Sequence, residues 1–265
     1  MKKLVFVSAL FIVSCSPSSK LKVSEKQNRS VIEGKIFASA YQQYAAEYRA
    51  LCYQAYNLAT EKLDQSSAEK TNKPKAIMTD IDETILNNSP YEVHQLLQGK
   101  DYTSSSWKEW TARGEADTLP GALKFFQYAA SKGVEVFYVS NRGEDEMEGT
   151  LKNLKKYNFP FTDREHILLV TNSSSKEPRK ESIEKDHSIL LLLGDNLNDF
   201  GSMFEKQLPD QRNKTADAFS KEFGNRFIVL PNPVYGDWEF SLYHYKYSLS
   251  PAQKDSVIRS VLKGY

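Results

Sequence analysis

Four short polar clusters in this chain of 265 residues carry side chains suited to act together on one substrate. They are Asp80-Ile-Asp82-Glu-Thr84, Ser140-Asn141-Arg142, Lys176 with Arg179, and Gly194-Asp195-Asn-Leu-Asn198-Asp199. Brought together, Asp80 and Asp195 offer hard oxygen ligands of the kind that hold Mg²⁺ beside a phosphate. With Mg²⁺ and a lysine drawing charge from a phosphoryl group, one carboxylate can attack phosphorus and form an aspartyl-phosphate. Asp80 is the candidate nucleophile. Asp82, aimed differently by the turn after it, is the candidate for giving a proton to the leaving oxygen and later taking one from water. Ser140 and nearby backbone N–H groups would hold the equatorial oxygens, with Asn141 and Arg142 beside them as substrate contacts. Lys176, Lys180 and Lys185 all compete for the lysine role.

These clusters need a frame that brings them to one place. Ala76-Ile-Met78 reads as a buried strand ending at Asp80, and further strand-like runs cover Val134–Ser140, His166–Val170, Ser188–Gly194 and Phe227–Leu230. Helical spacing between them, at about 120–132, 144–157, 178–185 and 216–223, predicts an α/β fold with a parallel sheet flanked by helices. In such sheets ligands bind at the carboxyl ends of the strands, where all four clusters stand. A long amphipathic pattern from Gly34 to about Leu63 precedes the first strand. It cannot be a crossover and must pack as an extra layer or cap. An insertion after the first strand carries two weaker helices, at about 91–97 and 106–113. In it Trp107 is a candidate for stacking on a substrate ring, whereas core packing is the better account of Trp110. A last helix starts at Pro251 behind Ser250 as N-cap.

Composition narrows the field. At 40% hydrophobic and 26% charged residues the chain can bury a real core, and a net charge of +1 gives no bulk case for binding a nucleic-acid polymer. Any phosphate affinity must be local. Met1-Lys-Lys3 is a basic start, Leu4–Val13 an apolar run too short to span a bilayer, and Ile12-Val-Ser-Cys15 closes it. The segment resembles a bacterial lipoprotein signal peptide. The expected plan is a signal over 1–14, a lipidated Cys15, a flexible tether over 15–33 and one domain over 34–265. Within that domain the core covers about 74–87 and 118–231, and the cap about 34–73, 88–117 and 232–265. Cys52 falls in the helical pattern and reads as a buried thiol.

The ordered clusters resemble the four motifs of the haloacid dehalogenase superfamily: Asp80-Ile-Asp82-Glu-Thr84 the first, Ser140 the second, Lys176 the third, Gly194-Asp195-Asn-Leu-Asn-Asp199-Phe the fourth. The longer strings Asp80-Ile-Asp-Glu-Thr-Ile-Leu-Asn-Asn-Ser-Pro-Tyr91 and Gly194-Asp-Asn-Leu-Asn-Asp-Phe200 are similar to the signatures of its class C bacterial acid phosphatases, the four-aspartate lipoprotein branch. The resemblance implies a Rossmann-like core with a smaller helical cap, and Mg²⁺-dependent hydrolysis of small phosphate monoesters such as nucleoside monophosphates. It implies Asp80 as nucleophile and metal ligand and Asp82 as acid/base with its backbone carbonyl on the metal. Asp195 is then a further Mg²⁺ ligand, Asp199 supports the metal shell, and Trp107 and Tyr235 flank the leaving group. It also implies a lipid-anchored place in the bacterial envelope, with outer-membrane sorting compatible with Ser16, and leaves room for a homodimer. Asn87 and Asn198 depart from the usual pattern, where Asp is common. Two rival readings are phosphoryl transfer to an alcohol acceptor and a non-catalytic surface-binding lipoprotein. His94, His166, His187 and His244 show no metal-ligand spacing, which argues against phosphohistidine chemistry, and no Gly-rich phosphate loop points to a kinase or ATPase.

Overall fold

A computed structural model describes residues 30–68 and 70–265. The expected signal, Cys15 and the tether up to residue 29 lie outside the described residues. Among the described residues no helix is long and apolar enough to cross a membrane. Five parallel strands form the sheet: β1 (Lys75–Thr79), β4 (Glu135–Gly143), β5 (Ile167–Val170), β6 (Ser188–Gly194) and β7 (Phe227–Val229), in the order β5-β4-β1-β6-β7. Side chains alternate across it. Ile77, Val136, Tyr138, Leu191 and Leu193 face one core, and Ala76, Met78, Phe137, Val139 and Leu192 the other. That two-sided burial is why the strands read as continuous apolar runs. One irregularity lies in β6, where Ala76 pairs with Ile189 but Ile77 with Leu191. Leu190 is the extra residue, and it joins Leu191 on the same core face.

The first face is covered by α2 (Ala46–Ser67), α5 (Ala122–Ser131) and α6 (Met147–Lys156). The second is covered by Ile183 of α7 (Glu177–Asp186) and a group of phenylalanines led by Phe200, whose ring stacks on Phe227 at 4.9 Å. Two expectations change here. The long N-terminal helix is broken at Ala45, and its second part, α2, lies on the sheet through Tyr48, Cys52, Ala55, Tyr56, Ala59 and Leu63, so residues 46–67 belong with the core layers and not with the cap. The helix expected at 216–223 runs instead over Pro209–Ala218 as α8, started by Pro209, while Phe219 and Phe223 pack on the second core from beyond its end.

The remaining helices are α1 (Ser30–Tyr44), α3 (Ser89–Leu97), α4 (Ser104–Arg113), α9 (Asp237–Leu242) and α10 (Pro251–Val261), of which α1 packs on both α3 and α10. Helix α1 thus begins inside the stretch expected as tether. A two-residue pairing of β2 (Leu86–Asn87) with β3 (Asp117–Thr118) closes the base of the insertion that carries α3 and α4. Gly149 lets α4 and α6 touch, since a Cβ there would lie 2.3 Å from the Thr111 carbonyl oxygen. Ser250 caps α10 as its sequence predicts, and Gln253 returns the bond.

A charge network ties α1, α3, α9 and α10 together. Lys35 Nζ lies 3.3 Å from Glu239 and 3.7 Å from Asp101, and Lys254 donates to Asp101 at 2.8 Å. Glu92 is buried beside them. Burial pushes its carboxyl up to about 7 from an ordinary value of 4.5; Lys35 opposes the rise, and Asp101 and Glu239 add to it. The folded chain therefore holds this proton after the unfolded chain has released it. The stability it lends is complete below about 4.5 and lost as pH rises through about 7. Glu92→Gln is expected to remove on the order of 2–3 kcal/mol of that pH dependence. Thermal melts at pH 5 and pH 8 should show the parent losing ground to the variant at the higher pH; parallel losses would sink the assignment.

Candidate active site

The order of the strands makes the four clusters meet. β1 is central, with β4 and β6 on either side, so the chain's course reverses at the carboxyl end of β1 and opens a crevice there. Asp80 and Asp82 leave β1 into it, Ser140 lies near the end of β4, Lys176 begins α7 after β5, and Asp195 follows β6.

Asp80, Asp195 and Asp199 each place one carboxylate oxygen within 4.8 Å of the others. Lys176 reaches into them, its ammonium bonding Asp80 and lying 2.7 Å from Asp199. Lys180 instead pairs with Glu177 at 2.6 Å, and Lys185 is exposed. Thr84 Oγ1 spans Asp80 and Asp195 at 3.3 and 3.4 Å, and Asn232 Nδ2 donates to Asp195 at 2.8 Å. Gly194 has room for no side chain, because a Cβ would lie 2.4 Å from that of Asp199. The Asn196 N–H holds the second Asp199 oxygen at 2.9 Å.

Charge in this cluster is unbalanced. Three carboxylates face one ammonium, so full ionisation would leave a formal excess of two negative charges. Burial pushes Asp80 up to about 7 despite Lys176, with Asp199 and Asp82 adding to the rise. Asp195 is driven well above the ordinary carboxylate range by burial, then by Asp199 and Asp80. Burial works against the Lys176 ammonium, but Asp199 and Asp80 more than offset it. An all-oxygen donor set with a formal excess of two negative charges fits a hard divalent cation.

Asp82 stands apart from that cluster. The Arg142 guanidinium clasps its carboxylate with Nε at 3.2 and 3.1 Å and Nη2 at 2.7 Å, and Asn88 Nδ2 adds a bond of 2.8 Å. Ser140 Oγ is 3.4 Å from Asp82 and accepts from the Arg142 N–H at 3.1 Å. Two neighbouring carboxylates are thereby given different surroundings, one set facing a cation site and one held by arginine. Arg142, expected to touch substrate, does not reach out: it is buried, and its Nη1 donates to Thr150 at 3.0 Å. Its charge lies under Trp107, 5.9 Å from the ring. Asn141 is exposed and accepts from Arg179 at 2.8 Å, while Arg179 also donates to the Ser140 carbonyl at 2.6 Å.

Trp107 packs edge-on against Tyr91 at 5.1 Å and near Tyr102 at 6.2 Å. The Tyr235 hydroxyl bonds Glu83. Asn198, where Asp is more usual, donates its amide to Asp237, a contact that a second carboxylate would turn into repulsion. Sequence reasoning missed Glu83, Asn88 and Asn232; Trp110 packs against the core as expected, and its indole also donates to Asn88 at 2.8 Å. Glu83 has φ +55°, the left-handed region that costs a non-glycine residue about 1–2 kcal/mol. Burial, with Asp82 adding, pushes its carboxyl up to about 8.

Comparison with known proteins gives four matches. The sequence matches the family profile "HAD superfamily, subfamily IIIB (Acid phosphatase)" over residues 6–238. The structure is similar to that of the class C acid phosphatase from Bacillus anthracis, with a TM-score of 0.86 and 40% identity over 89% of this chain and 99% of that one. The same enzyme with tungstate bound matches at 0.86 and 40%, over 88% and 98%. A curated relative, the stem 31 kDa glycoprotein of Glycine max, is 24% identical over 200 residues, 73% of this chain and 69% of its own length.

Proposed function

The chain belongs to the acid phosphatases of the HAD superfamily, subfamily IIIB, and we propose that this phosphomonoesterase is Mg²⁺-dependent, works through an aspartyl-phosphate on Asp80 and takes nucleoside monophosphates among its substrates. The observation that carries the mechanism is the division of labour at the end of β1. Asp80 belongs to a cluster with a formal excess of two negative charges, and Asp82, two residues on, is held out of it by Arg142. The Bacillus anthracis enzyme has been solved with tungstate bound, a tetrahedral oxyanion as phosphate is, which supports a phosphate ester as the substrate here.

Asp80, Asp195 and Asp199, with the Asp82 carbonyl, would hold the Mg²⁺. When bound, the ion withdraws charge from a phosphoryl oxygen and relieves repulsion among the carboxylates. Lys176 keeps the Asp80 carboxylate oriented and adds positive charge beside the phosphoryl group. Ser140 Oγ is placed to donate to an equatorial oxygen. Attack by a carboxylate oxygen of Asp80 forms the phosphorus–oxygen bond as the ester bond breaks. Asp82, steadied by Arg142 and Asn88, gives the leaving oxygen its proton, then accepts one from the water that cleaves the intermediate. Trp107 and Tyr235 form the leaving-group side, which suits an aryl group or a nucleobase.

Hydrolysis of an aryl phosphate should vanish on chelation and return with Mg²⁺. Nucleoside 5'-monophosphates should outrun sugar phosphates in a substrate panel. Activity that survives exhaustive chelation would remove the metal from the mechanism. The same reading puts the protein in the bacterial envelope, held at the membrane once Cys15 is acylated; Cys15→Ala should move it from the membrane fraction to the soluble one.

A further inference from the structure

Glu83 lies between the proton-handling Asp82 and Thr84, yet its carboxylate belongs to neither the aspartate cluster nor the arginine clasp. The left-handed φ of +55° turns it away from both, into a position only 1% exposed. There it accepts four hydrogen bonds. Oε1 takes the Asn88 N–H at 2.7 Å and Gln42 Nε2 at 3.4 Å; Oε2 takes Asn88 Nδ2 at 3.3 Å and the Tyr235 hydroxyl. The donors come from α1, from the head of the insertion that carries α3 and α4, and from the loop before α9. Three segments distant in sequence are therefore fastened to the catalytic turn through one side chain.

Tyr235 is held at its other end as well. Asn232 Oδ1 accepts from the Tyr235 N–H at 3.3 Å and the Val234 N–H at 3.0 Å, while its amide donates to Asp195 at 2.8 Å. The ring thus hangs between the metal-side carboxylate and Glu83. Asn88 joins the second support to the reacting groups, because the amide that bonds Glu83 also bonds Asp82. None of the four bonds to Glu83 comes from a cation. A buried carboxylate with neutral partners alone is a costly way to attach a loop, and its place beside Asp82 links that cost to the reaction.

We propose that Glu83 is a positioning residue that registers the three surrounding segments on the catalytic turn and, through the Tyr235 hydroxyl, sets the preference for planar aromatic leaving groups. The inference rests on the reading that Tyr235 lines the leaving-group side.

The test is the ratio of kcat/KM for p-nitrophenyl phosphate to that for glycerol phosphate, measured on the full chain. A ratio cancels damage common to both substrates. Tyr235→Ala, Tyr235→Phe and Glu83→Ala should each lower it by about fivefold, mainly through KM for the aryl ester. Glu83→Gln, which keeps an oxygen for the phenol, should fall between Glu83→Ala and the parent. An unchanged ratio in Tyr235→Ala would overturn both the leaving-group reading and this inference. A lowered ratio there with an unchanged one in Glu83→Ala would overturn the inference alone, as would equal losses on both esters. If Glu83→Ala does not fold, Tyr235→Phe removes the same hydrogen bond from outside the turn, and its ratio decides.

Discussion

Asp80→Asn is expected to lower kcat by at least about 10⁴-fold, the scale on which removing a covalent nucleophile acts, without unfolding the chain. The amide fits the same place. Its oxygen can take the Lys176 ammonium, and its NH₂ would face Thr84 Oγ1, which is free to turn its proton toward Asp195 at 3.4 Å. Burial pushes Asp80 up to about 7, so the parent's stability from this group falls as pH rises through that value. The variant carries no such charge. At pH 8 and without metal it should melt no lower than the parent. Added Mg²⁺ should raise the parent's Tm more than the variant's, because one ligand of the folded state is gone. Turnover within tenfold of the parent would show that another group attacks phosphorus.

How far the sequence reached follows from the range of the interactions involved. β6 spans Ser188–Gly194 as its apolar run predicts, because a strand buried on both faces writes its limits in its composition. The convergence of Asp80, Ser140, Lys176 and Asp195 was legible too, since alternating strands and helices leave few sheet orders and each cluster follows a strand. The polar shell around them was not. Glu83 meets Tyr235 across 152 residues and Gln42 across 41, and an ordinary Glu or Gln in a polar stretch announces no such partner. Arg142 misled for the same reason: an arginine at a strand end reads as a phosphate contact until Asp82 and Thr150 are seen to occupy it. The helix expected at 216–223 lies earlier, because Pro209 starts it and it ends at Ala218, and Phe219 and Phe223 pack on the second core from beyond that end. Helix α2 was expected outside the sheet's crossovers, and it is; its burial on the sheet followed from an apolar face whose partner only the fold supplies.

Asp82→Asn should cost activity in proportion to how badly the leaving group needs a proton. For an alkyl phosphate the departing alkoxide is strongly basic, and the expected loss is about 10²–10⁴-fold, the usual worth of a general acid. For p-nitrophenyl phosphate the phenolate leaves without help, so the loss on that half-reaction should be far smaller. The difficulty is Arg142, which is buried and draws on Asp82 as its anionic partner. Breaking one side of such a pair costs about 3–5 kcal/mol, so a weakened fold alone would also lower activity on every ester. Asp82→Asn combined with Arg142→Gln removes the stranded charge and should recover much of the melting temperature. If Asp82 is the proton donor, the double variant regains stability and still discriminates against the alkyl ester. If instead kcat/KM, which reports only the steps through departure of the leaving group, falls equally for both esters once the melting temperature is restored, Asp82 is not the donor, and the leaving oxygen takes its proton from elsewhere.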